Sequence, residues 1–234
     1  MNIIRVLHRG GIHVVCSLKP YHSILLKIEN RGYYSTMRFT GILFSFLILL
    51  FGGYDICRGS ELQRAAAAYK EGDYDTALQI FIPLAETGDM IAQFNLAKMY
   101  RKGRGIPKDY KTAVKWFTLS AEQGNAKAQY HLGVAHSFGL GVVPDYKIAL
   151  KWFNRSAEQG NTFSQYHLSR LFYLGNGVKE DKVYAHMWAN LASSSGFEMA
   201  QQLRQLLTEK MTSHQIERAQ ELARECFKKN YKGC

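Results

Sequence analysis

The stretch SAEQGNAKAQYHLG occupies residues 120–133, and a nearly identical stretch, SAEQGNTFSQYHLS, occupies residues 156–169. The two copies lie 36 residues apart, and the same spacing separates Trp116, Trp152 and Trp188. A fixed period of about 20 to 50 residues is typical of repeat proteins. The sequence therefore predicts three full units and a degenerate one before them. They span residues 89–124, 125–160 and 161–196, with the degenerate unit at about 62–88.

Each unit is predicted to fold as two helices joined by a glycine turn. In the first full unit, Ala92, Leu96 and Met99 recur at i, i+4 and i+7, which places them on one side of a helix. A Gly-x-Gly pair follows, and glycine enters positive φ without steric cost, so the chain can reverse there. The second helix is predicted to start after an aspartate, whose carboxylate accepts hydrogen bonds from the free backbone N–H groups. The aspartates are Asp109, Asp145 and Asp181. In the central unit, Trp152 is expected to be a large buried aromatic of this second helix.

The opening stretch contains the junction between two units. Gly124 is expected to end one helix and Asn125 to cap the next, whose first core turn is AQYHL. One helix pair cannot bury both of its apolar faces, so neighbouring units must stack. Small residues after each core leucine are expected to allow close packing; they are Ala97, Gly133 and Ser169.

The tail, residues 197–234, is predicted to cap the stack with two further helices. The second of these opens with Thr212 and Gln215, which are spaced as a capping box. Charged residues are predicted to cover its outer side, as the end of a solenoid requires. Its apolar side is predicted to comprise Ile216, Ala219, Ala223, Cys226 and Phe227.

The motifs of these units resemble those of a known family. The run A-x-Q-x-x-L-G, then G-x-G-V, then D-x-x-x-A-x-x-W-F and A-E-Q-G, is similar to the Sel1-like repeat, a relative of the tetratricopeptide repeat with a slightly longer turn. The resemblance covers about residues 62–229. It implies an all-α fold, an α-solenoid of antiparallel helix pairs in a right-handed superhelix, whose usual work is to hold other proteins. Similar bacterial proteins are often envelope or secreted components.

The charge of the chain is spread rather than concentrated. The formal net charge is +11, and residues 1–57 hold six Lys or Arg against Glu29 and Asp55, which leaves about +7 on residues 58–234. Spread charge is typical of a soluble surface, whereas nucleic-acid binding needs Lys and Arg on one face with base-reading or stacking groups. The one cluster, Arg101, Lys102, Arg104 and Lys108, is interpreted as a solvated loop. No nucleic-acid partner is predicted.

An uncharged run, FTGILFSFLILLFGGY, precedes the repeats at residues 39–54. A spanning helix needs about 20 apolar residues, so this shorter, glycine-interrupted run fits the apolar region of a signal peptide better. Translation would then start at Met37, with residues 1–36 an over-called extension or targeting segment, and cleavage could fall after Gly59. Residues 60–234 would form the exported repeat domain, either periplasmic or secreted.

Two alternatives for the N-terminal region stay open. If residues 37–59 are not cleaved, they would anchor the chain in the inner membrane with the repeats outside, which is the only membrane contact expected. Residues 1–36 hold five basic groups against Glu29, which is also typical of a mitochondrial transit sequence.

The chain has four cysteines, Cys16, Cys57, Cys226 and Cys234. Cys57 lacks the flanking residues of a lipoprotein site, so lipidation is not predicted. Cleavage before Ser60 would leave Cys226 and Cys234, which could bridge the last helix to the C-terminus in an oxidising compartment. In the other interpretation, Cys226 belongs to the core and Cys234 lies in a frayed C-terminus.

The sequence predicts a non-enzymatic protein without cofactor or metal. It contains no H-E-x-x-H, C-x-x-C, G-x-S-x-G or Walker pattern. The Gly-x-Gly pairs lack the third glycine and the preceding strand of a phosphate-binding loop. His131 and His167 share a repeat position that holds Asn95 in the first full unit, which favours a structural role over metal binding.

The candidate partner surface is a stripe along the first helices. Phe94, Lys98 and Arg101 follow i, i+4 and i+7 on the side away from Leu96, and related solenoids use this side as the concave face. Aromatic and Arg side chains are frequent interface anchors, although the aromatic positions could instead serve only to pack neighbouring units. The other stripe residues are Tyr130, Val134, Ser137, Tyr166, Arg170 and Tyr173. Of the stripe, Lys98, Arg170 and Tyr173 depart from the repeat pattern and are expected to serve the partner.

The predicted function is a protein–protein interaction scaffold or adaptor of the cell envelope or secreted space, with a protein partner in the concave groove. The alternative is a cell-wall or polysaccharide-associated protein that modulates a cell-wall enzyme. That alternative would need paired acids or aromatics across a cleft.

Overall fold

The computed structural model describes residues 4–7, 13–16 and 59–234. The chain divides into two units, Met1–Ala67 and Ala68–Cys234. In the first unit, strands β1 (Ile4–Leu7) and β2 (His13–Cys16) pair antiparallel, a hairpin that no sequence pattern had indicated. The start at Met37 and the apolar run at residues 39–54 lie outside the described residues.

No helix in the described ranges combines the length and the apolar character that a membrane crossing requires.

The chain from residue 59 onward is helical, and its helices correspond to the predicted units. Helix α1 covers residues 59–71, and it is followed by α2 (Tyr74–Glu86), α3 (Met90–Lys102), α4 (Tyr110–Glu122), α5 (Ala126–Phe138), α6 (Tyr146–Ala157), α7 (Thr162–Leu174), α8 (Lys182–Ser193), α9 (Glu198–Thr208) and α10 (Ser213–Lys228). Each helix from α2 to α8 packs against the next one, and α10 returns to pack on α8. The predicted α-solenoid of helix pairs is confirmed, with α3/α4, α5/α6 and α7/α8 as its full units.

The predicted helix starts and stops are confirmed by the capping geometry. The carboxylate of Asp109 accepts hydrogen bonds from the backbone N–H groups of Lys111 and Thr112, at 2.9 and 3.1 Å. Asn125 caps α5 in the same way. The first helices end at glycines in the left-handed region, as at Gly103 with φ 67°, a conformation that side chains with a Cβ rarely adopt. The equivalent aspartate caps are Asp145 and Asp181.

The polar residues of the repeated stretch bind helices to one another. Ser120 of α4 donates a hydrogen bond to the carbonyl of Met90 in α3, at 2.8 Å, which joins the two helices of a unit. Gln129 of α5 donates to the carbonyl of Ala121 in α4, at 3.1 Å, and accepts from Gln159 beyond α6, at 2.8 Å. Buried polar groups need such partners. The serine and the two glutamines of the repeated stretch therefore supply hydrogen bonds that hold the stacked helices together.

The core of the second helices is formed by phenylalanine rather than by the repeated tryptophan. Phe117 is 2% exposed and Phe153 is fully buried, whereas Trp152 is only partly buried and carries the guanidinium of Arg155 over its ring, 5.0 Å from the centre. The expectation that Trp152 is a large buried aromatic was wrong. Adjacent residues lie about 100° apart on a helix, and the packing directs Phe153 inward. Trp188, which packs in a cluster with residues of α10, is buried.

Small residues allow close approach where they were predicted. A Cβ added to Gly133 would lie 2.5 Å from the ring of Phe153, so only glycine fits without a shift. Ala97 is fully buried in the preceding unit. Ser169 is also fully buried, and its hydroxyl donates to the carbonyl of Ala185 at 2.7 Å.

The C-terminal cap has the predicted helices and one misplaced residue. Both hydrogen bonds of the capping box at Thr212 and Gln215 are present. Cys226 is buried in the core, and it also forms a disulfide with Cys234. The predicted core position and the predicted bridge are therefore both present. Phe227, predicted on the apolar side of α10, is 60% exposed, because it follows Cys226 directly and so points about 100° away from that side of the helix.

Candidate functional site

The aromatic residues of the first-helix stripe connect one unit to the next. We use the name first-helix stripe for Phe94, Lys98, Arg101, Tyr130, Val134, Ser137, Tyr166, Arg170 and Tyr173. The ring of Phe94 lies 6.0 Å from Phe117 in its own unit and stacks on His131 of the next unit at 5.9 Å, between ring centres. Tyr130 makes the equivalent contacts with Phe153 and His167, at 6.2 and 5.8 Å, but with tilted ring planes. These aromatics therefore pack the units together while remaining partly exposed.

His131 and His167 are wedged among these rings. His131 lies 4.8 Å from Phe117, and His167 stacks on Phe153 at 4.8 Å with nearly parallel planes. Burial lowers the pKa of His131 to about 3 and that of His167 to about 4, and the positive charge of Arg101 or Arg170 adds to the effect. Both rings are thus neutral near pH 7, in keeping with their predicted structural role.

Lys98 sits between two aromatic rings at the start of the stripe. Its Nζ lies 5.1 Å from the ring centre of Tyr69 and 5.3 Å from that of Phe94, within the range of cation–π attraction. Burial lowers the pKa of Lys98, and the nearby positive charges, Lys102 foremost, lower it further. Arg104 donates a hydrogen bond to the Tyr69 hydroxyl at 2.8 Å. Of the cluster interpreted as a solvated loop, Arg104 instead lies against an aromatic ring, whereas Lys102 is exposed.

Two polar atoms at one repeat position have no hydrogen-bond partner among the described residues. They are Nε of Arg101 and Oγ of Ser137, both buried. A small cavity lies beside Arg101, between α3, α4 and α5, with Phe117 and His131 in its wall. A buried donor without an acceptor costs about 1–3 kcal/mol, so an acceptor supplied from outside the chain would be favourable there.

Arg170 and Tyr173 differ in their surroundings. The guanidinium of Arg170 lies over the ring of Tyr166, 6.0 Å from its centre. The hydroxyl of Tyr173 accepts a hydrogen bond from Lys210 at 2.9 Å, and its ring packs with Leu203 against a buried cluster formed by residues of α8 and α9. The departure of Tyr173 from the repeat pattern therefore has a structural reason, which the sequence had not indicated.

An apolar row at the start of the first helices was missed. Ile91, Phe163 and Met199 are exposed by 45, 51 and 50%, and they share one repeat position with Lys127. The ring of Phe163 lies 5.2 Å from that of Phe197. The spacing of 36 residues could have revealed this apolar row. No such spacing could have revealed Tyr69, the ring beside Lys98, because it lies in the degenerate unit.

The helices that carry the stripe are basic, and they contain no carboxylate that would neutralise their cations. Helices α3, α5 and α7 contain no Asp or Glu, and their cations are Lys98, Arg101, Lys102, Lys127 and Arg170. The ion pairs of the described residues, Arg64 with Glu61 and Arg218 with Glu221, involve none of them. The first helices also supply none of the paired acids that a polysaccharide-cleaving site would use. Within residues 59–234, no group of three or more His, Cys, Asp or Glu could hold a metal ion.

Comparison with known proteins agrees with this architecture. A family model described as the Sel1 repeat matches residues 91–125, 126–161 and 162–197. No curated protein matches the chain. Among solved structures, the chain is similar to a Sel1 repeat protein from Oxalobacter formigenes, with 24% identity and a TM-score of 0.57, over 70% of this chain and 75% of that one. It is also similar to a protective antigen of uropathogenic Escherichia coli strains displaying an SLR fold, with 26% identity and a TM-score of 0.48, over 74% of this chain and 46% of that one.

The matched repeats span helices α3 to α8, the same helices that form the full units of the solenoid. Proteins of this repeat class generally act as protein-interaction scaffolds, and their fold is typically non-catalytic. The chain therefore contains three Sel1 repeats, and its helical architecture is consistent with the Sel1-like repeat family.

Proposed function

We propose that this chain is a non-enzymatic scaffold of the cell envelope or secreted space that holds a protein partner against the first-helix stripe. The supporting observation is the row of partly exposed rings and cations on α3, α5 and α7, in which Lys98 and Arg170 lie over aromatic side chains. Aromatic and Arg side chains dominate the binding energy of many protein interfaces.

The arrangement also suits binding because its side chains are already held in place. Phe94 is held by stacking against His131, and Tyr130 by a tilted ring contact with His167. Lys98 is held between two rings and by a 3.4 Å hydrogen bond to Asn95. Ordering a flexible side chain on binding costs about 0.5–1.5 kcal/mol, so residues that are ordered beforehand bind a partner at lower cost.

Export is part of the same proposal. The uncharged run at residues 39–54 follows Met37 and Arg38 as a signal-peptide core would. The disulfide between Cys226 and Cys234 also favours an oxidising compartment, where such bonds persist.

A crosslinking pull-down with the full chain tests the partner surface. The variant Lys98→Ala/Arg170→Ala removes two half-buried cations of the stripe, and the control Lys115→Ala/Lys151→Ala removes two exposed lysines of the second helices. Tyr173 is left unchanged because its ring packs against the buried cluster of α8 and α9. We expect the stripe variant to lose the protein that the parent and the control retrieve, with unchanged helicity.

Equal retrieval by the stripe variant would contradict the proposed surface. Sedimentation with purified peptidoglycan in the absence of any protein partner would favour the cell-wall alternative.

Fusion of residues 37–60 to a reporter that is active only outside the cytoplasm tests export. We expect activity, and we expect it to disappear when Leu47→Arg/Leu49→Arg places two charges in the apolar run. A silent parent fusion in a host that exports other fusions would contradict export, and delivery of a residues 1–36 fusion to mitochondria would favour the alternative.

A further inference from the structure

We propose that the first-helix stripe binds an acidic segment of the partner protein, in which carboxylates alternate with apolar side chains. This inference rests on the scaffold function proposed above and adds the chemistry of the partner. The carboxylates would lie against Lys98, Arg101 and Arg170, and the apolar side chains against the row at Ile91, Phe163 and Met199.

The first argument is charge. Four cations, Lys98, Arg101, Lys102 and Arg104, fall within seven residues at the end of α3 and the turn after it. No ion pair within residues 59–234 involves them, and Lys98 is influenced by all three of the others as well as by Lys127 of the next unit. Like charges brought together in a partly buried place repel one another, and a carboxylate from a partner would relieve that repulsion.

The second argument is the supply of hydrogen-bond donors. The guanidinium of Arg101 has no hydrogen bond or ion pair to the described residues, and its Nε is buried without a partner. At the next unit, the same repeat position holds Ser137, whose buried hydroxyl also has no partner in residues 59–234. Arginine is suited to hold a carboxylate through two parallel N–H···O bonds. Donors without a partner among residues 59–234 therefore lie in the stripe.

The third argument separates this stripe from the remaining basic surface. Helices α4 and α6 also carry lysines, such as Lys111, Lys115 and Lys151, but these side chains are exposed. Lys98 and Arg170 of the stripe lie against rings, where water is partly excluded and charge interactions are stronger. The exposed Ile91, Phe163 and Met199 stand near the N-terminal ends of the first helices and of α9, whereas Arg101 and Arg170 stand toward the C-terminal ends of α3 and α7. A segment in which acidic and apolar residues alternate could contact both the apolar row and the arginines.

Fluorescence anisotropy with the full chain tests the inference. The probe is a short labelled peptide in which glutamate alternates with leucine and phenylalanine, and its matched control has glutamine in place of every glutamate. We expect the acidic peptide to bind about ten-fold or more tightly than the glutamine peptide, because charge-assisted hydrogen bonds are lost in the latter. The variant Lys98→Gln/Arg101→Gln/Arg170→Gln should weaken acidic-peptide binding by about ten-fold or more. The charge-matched control Lys111→Gln/Lys115→Gln/Lys151→Gln should change it by less than about two-fold.

Three outcomes would overturn the inference. Equal affinity for the two peptides would show that carboxylates are not recognised, and equal weakening by the two triple variants would show unspecific attraction to net charge. Tighter binding of a labelled single-stranded oligonucleotide, with the same dependence on Lys98, Arg101 and Arg170, would assign the stripe to nucleic acid.

A competition arm separates this inference from the scaffold function. An excess of the acidic peptide should displace the protein retrieved in the pull-down. If the stripe variant loses that protein but the peptide fails to displace it, the scaffold function stands and the acidic segment is wrong. If the stripe variant still retrieves the protein, the proposed surface itself is wrong.

Discussion

Two adjacent residues, Trp152 and Phe153, provide a sharp test of the fold. Both are large aromatics of α6, but Phe153 is fully buried and Trp152 is only partly buried. We expect Phe153→Ala to lower the free energy of unfolding much more than Trp152→Ala, although tryptophan is the larger side chain and recurs in every full unit.

The expected magnitudes follow from burial. Removing a buried phenylalanine costs about 3–5 kcal/mol through lost burial and the cavity left behind. Phe153 also lies 4.8 Å from His167 and 6.2 Å from Tyr130 between ring centres, and each aromatic pair contributes about 0.5–1.5 kcal/mol more. Phe153→Ala should therefore reach the upper part of that range. Because only part of its ring is buried, Trp152→Ala should cost about 2 kcal/mol.

Urea denaturation of the full chain, followed by far-ultraviolet circular dichroism, measures both variants. The slope of the free energy against urea must be compared as well, because a stack held by neighbouring units can lose its cooperativity when one unit is weakened. A larger loss for Trp152→Ala than for Phe153→Ala would refute the inward orientation of Phe153. An unchanged midpoint for Phe153→Ala would refute the packing of the central unit.

Three further changes test the packing, the histidines and the cap by the same titration. Gly133→Ala should destabilise the chain by about 1–2 kcal/mol, because the new Cβ would lie 2.5 Å from a buried ring and this crowding outweighs the gain of about 1 kcal/mol in helix propensity; a stabilised variant would contradict the close approach. When the pH falls from about 7 to about 5.5, the free energy of unfolding should fall by about 1 kcal/mol for each of His131 and His167. Their folded-state pKa values of about 3 and about 4 lie below the ordinary value of 6.5, so the unfolded chain takes up protons that the folded chain does not. Replacing both histidines with Asn should remove most of the decrease that they cause, and an equal decrease in the variant would contradict their burial. Cys234→Ser should cost about 2 kcal/mol, since the disulfide to Cys226 joins residues eight apart, and a parent that is insensitive to reductant would contradict that bond.

Part of the candidate surface could be predicted because it follows the repeat register. The stripe positions Phe94, Tyr130 and Tyr166 are visible in the sequence at a spacing of 36 residues. The structure shows that they join adjacent units, as the interpretation of these aromatics as packing residues predicted. The contact between Lys98 and Tyr69 could not be predicted, because Tyr69 belongs to the degenerate unit, whose register is lost. The bond from Lys210 to Tyr173 joins the cap to the last full unit, and no repeat relates those two segments.

Local interactions explain what the sequence by itself determined. Helix boundaries depend on groups a few residues apart, such as the carboxylate of Asp109 and the N–H of Thr112, or the positive φ of Gly103. Those groups are adjacent in the chain, so the 36-residue period was sufficient to place the helices, their caps and the stacking of units.

The tertiary structure decided which side of each helix faces the core and which polar atoms remain unsatisfied. Phe153 and Trp152 both lie near the apolar side of α6, and only the position of α5, where Gly133 admits the ring of Phe153, selects between them. Likewise, that the Nε of Arg101 lacks a partner among the described residues is visible only when every neighbouring helix is in place. Burial and hydrogen-bond satisfaction depend on residues distant in sequence, and for that reason no local pattern encodes them.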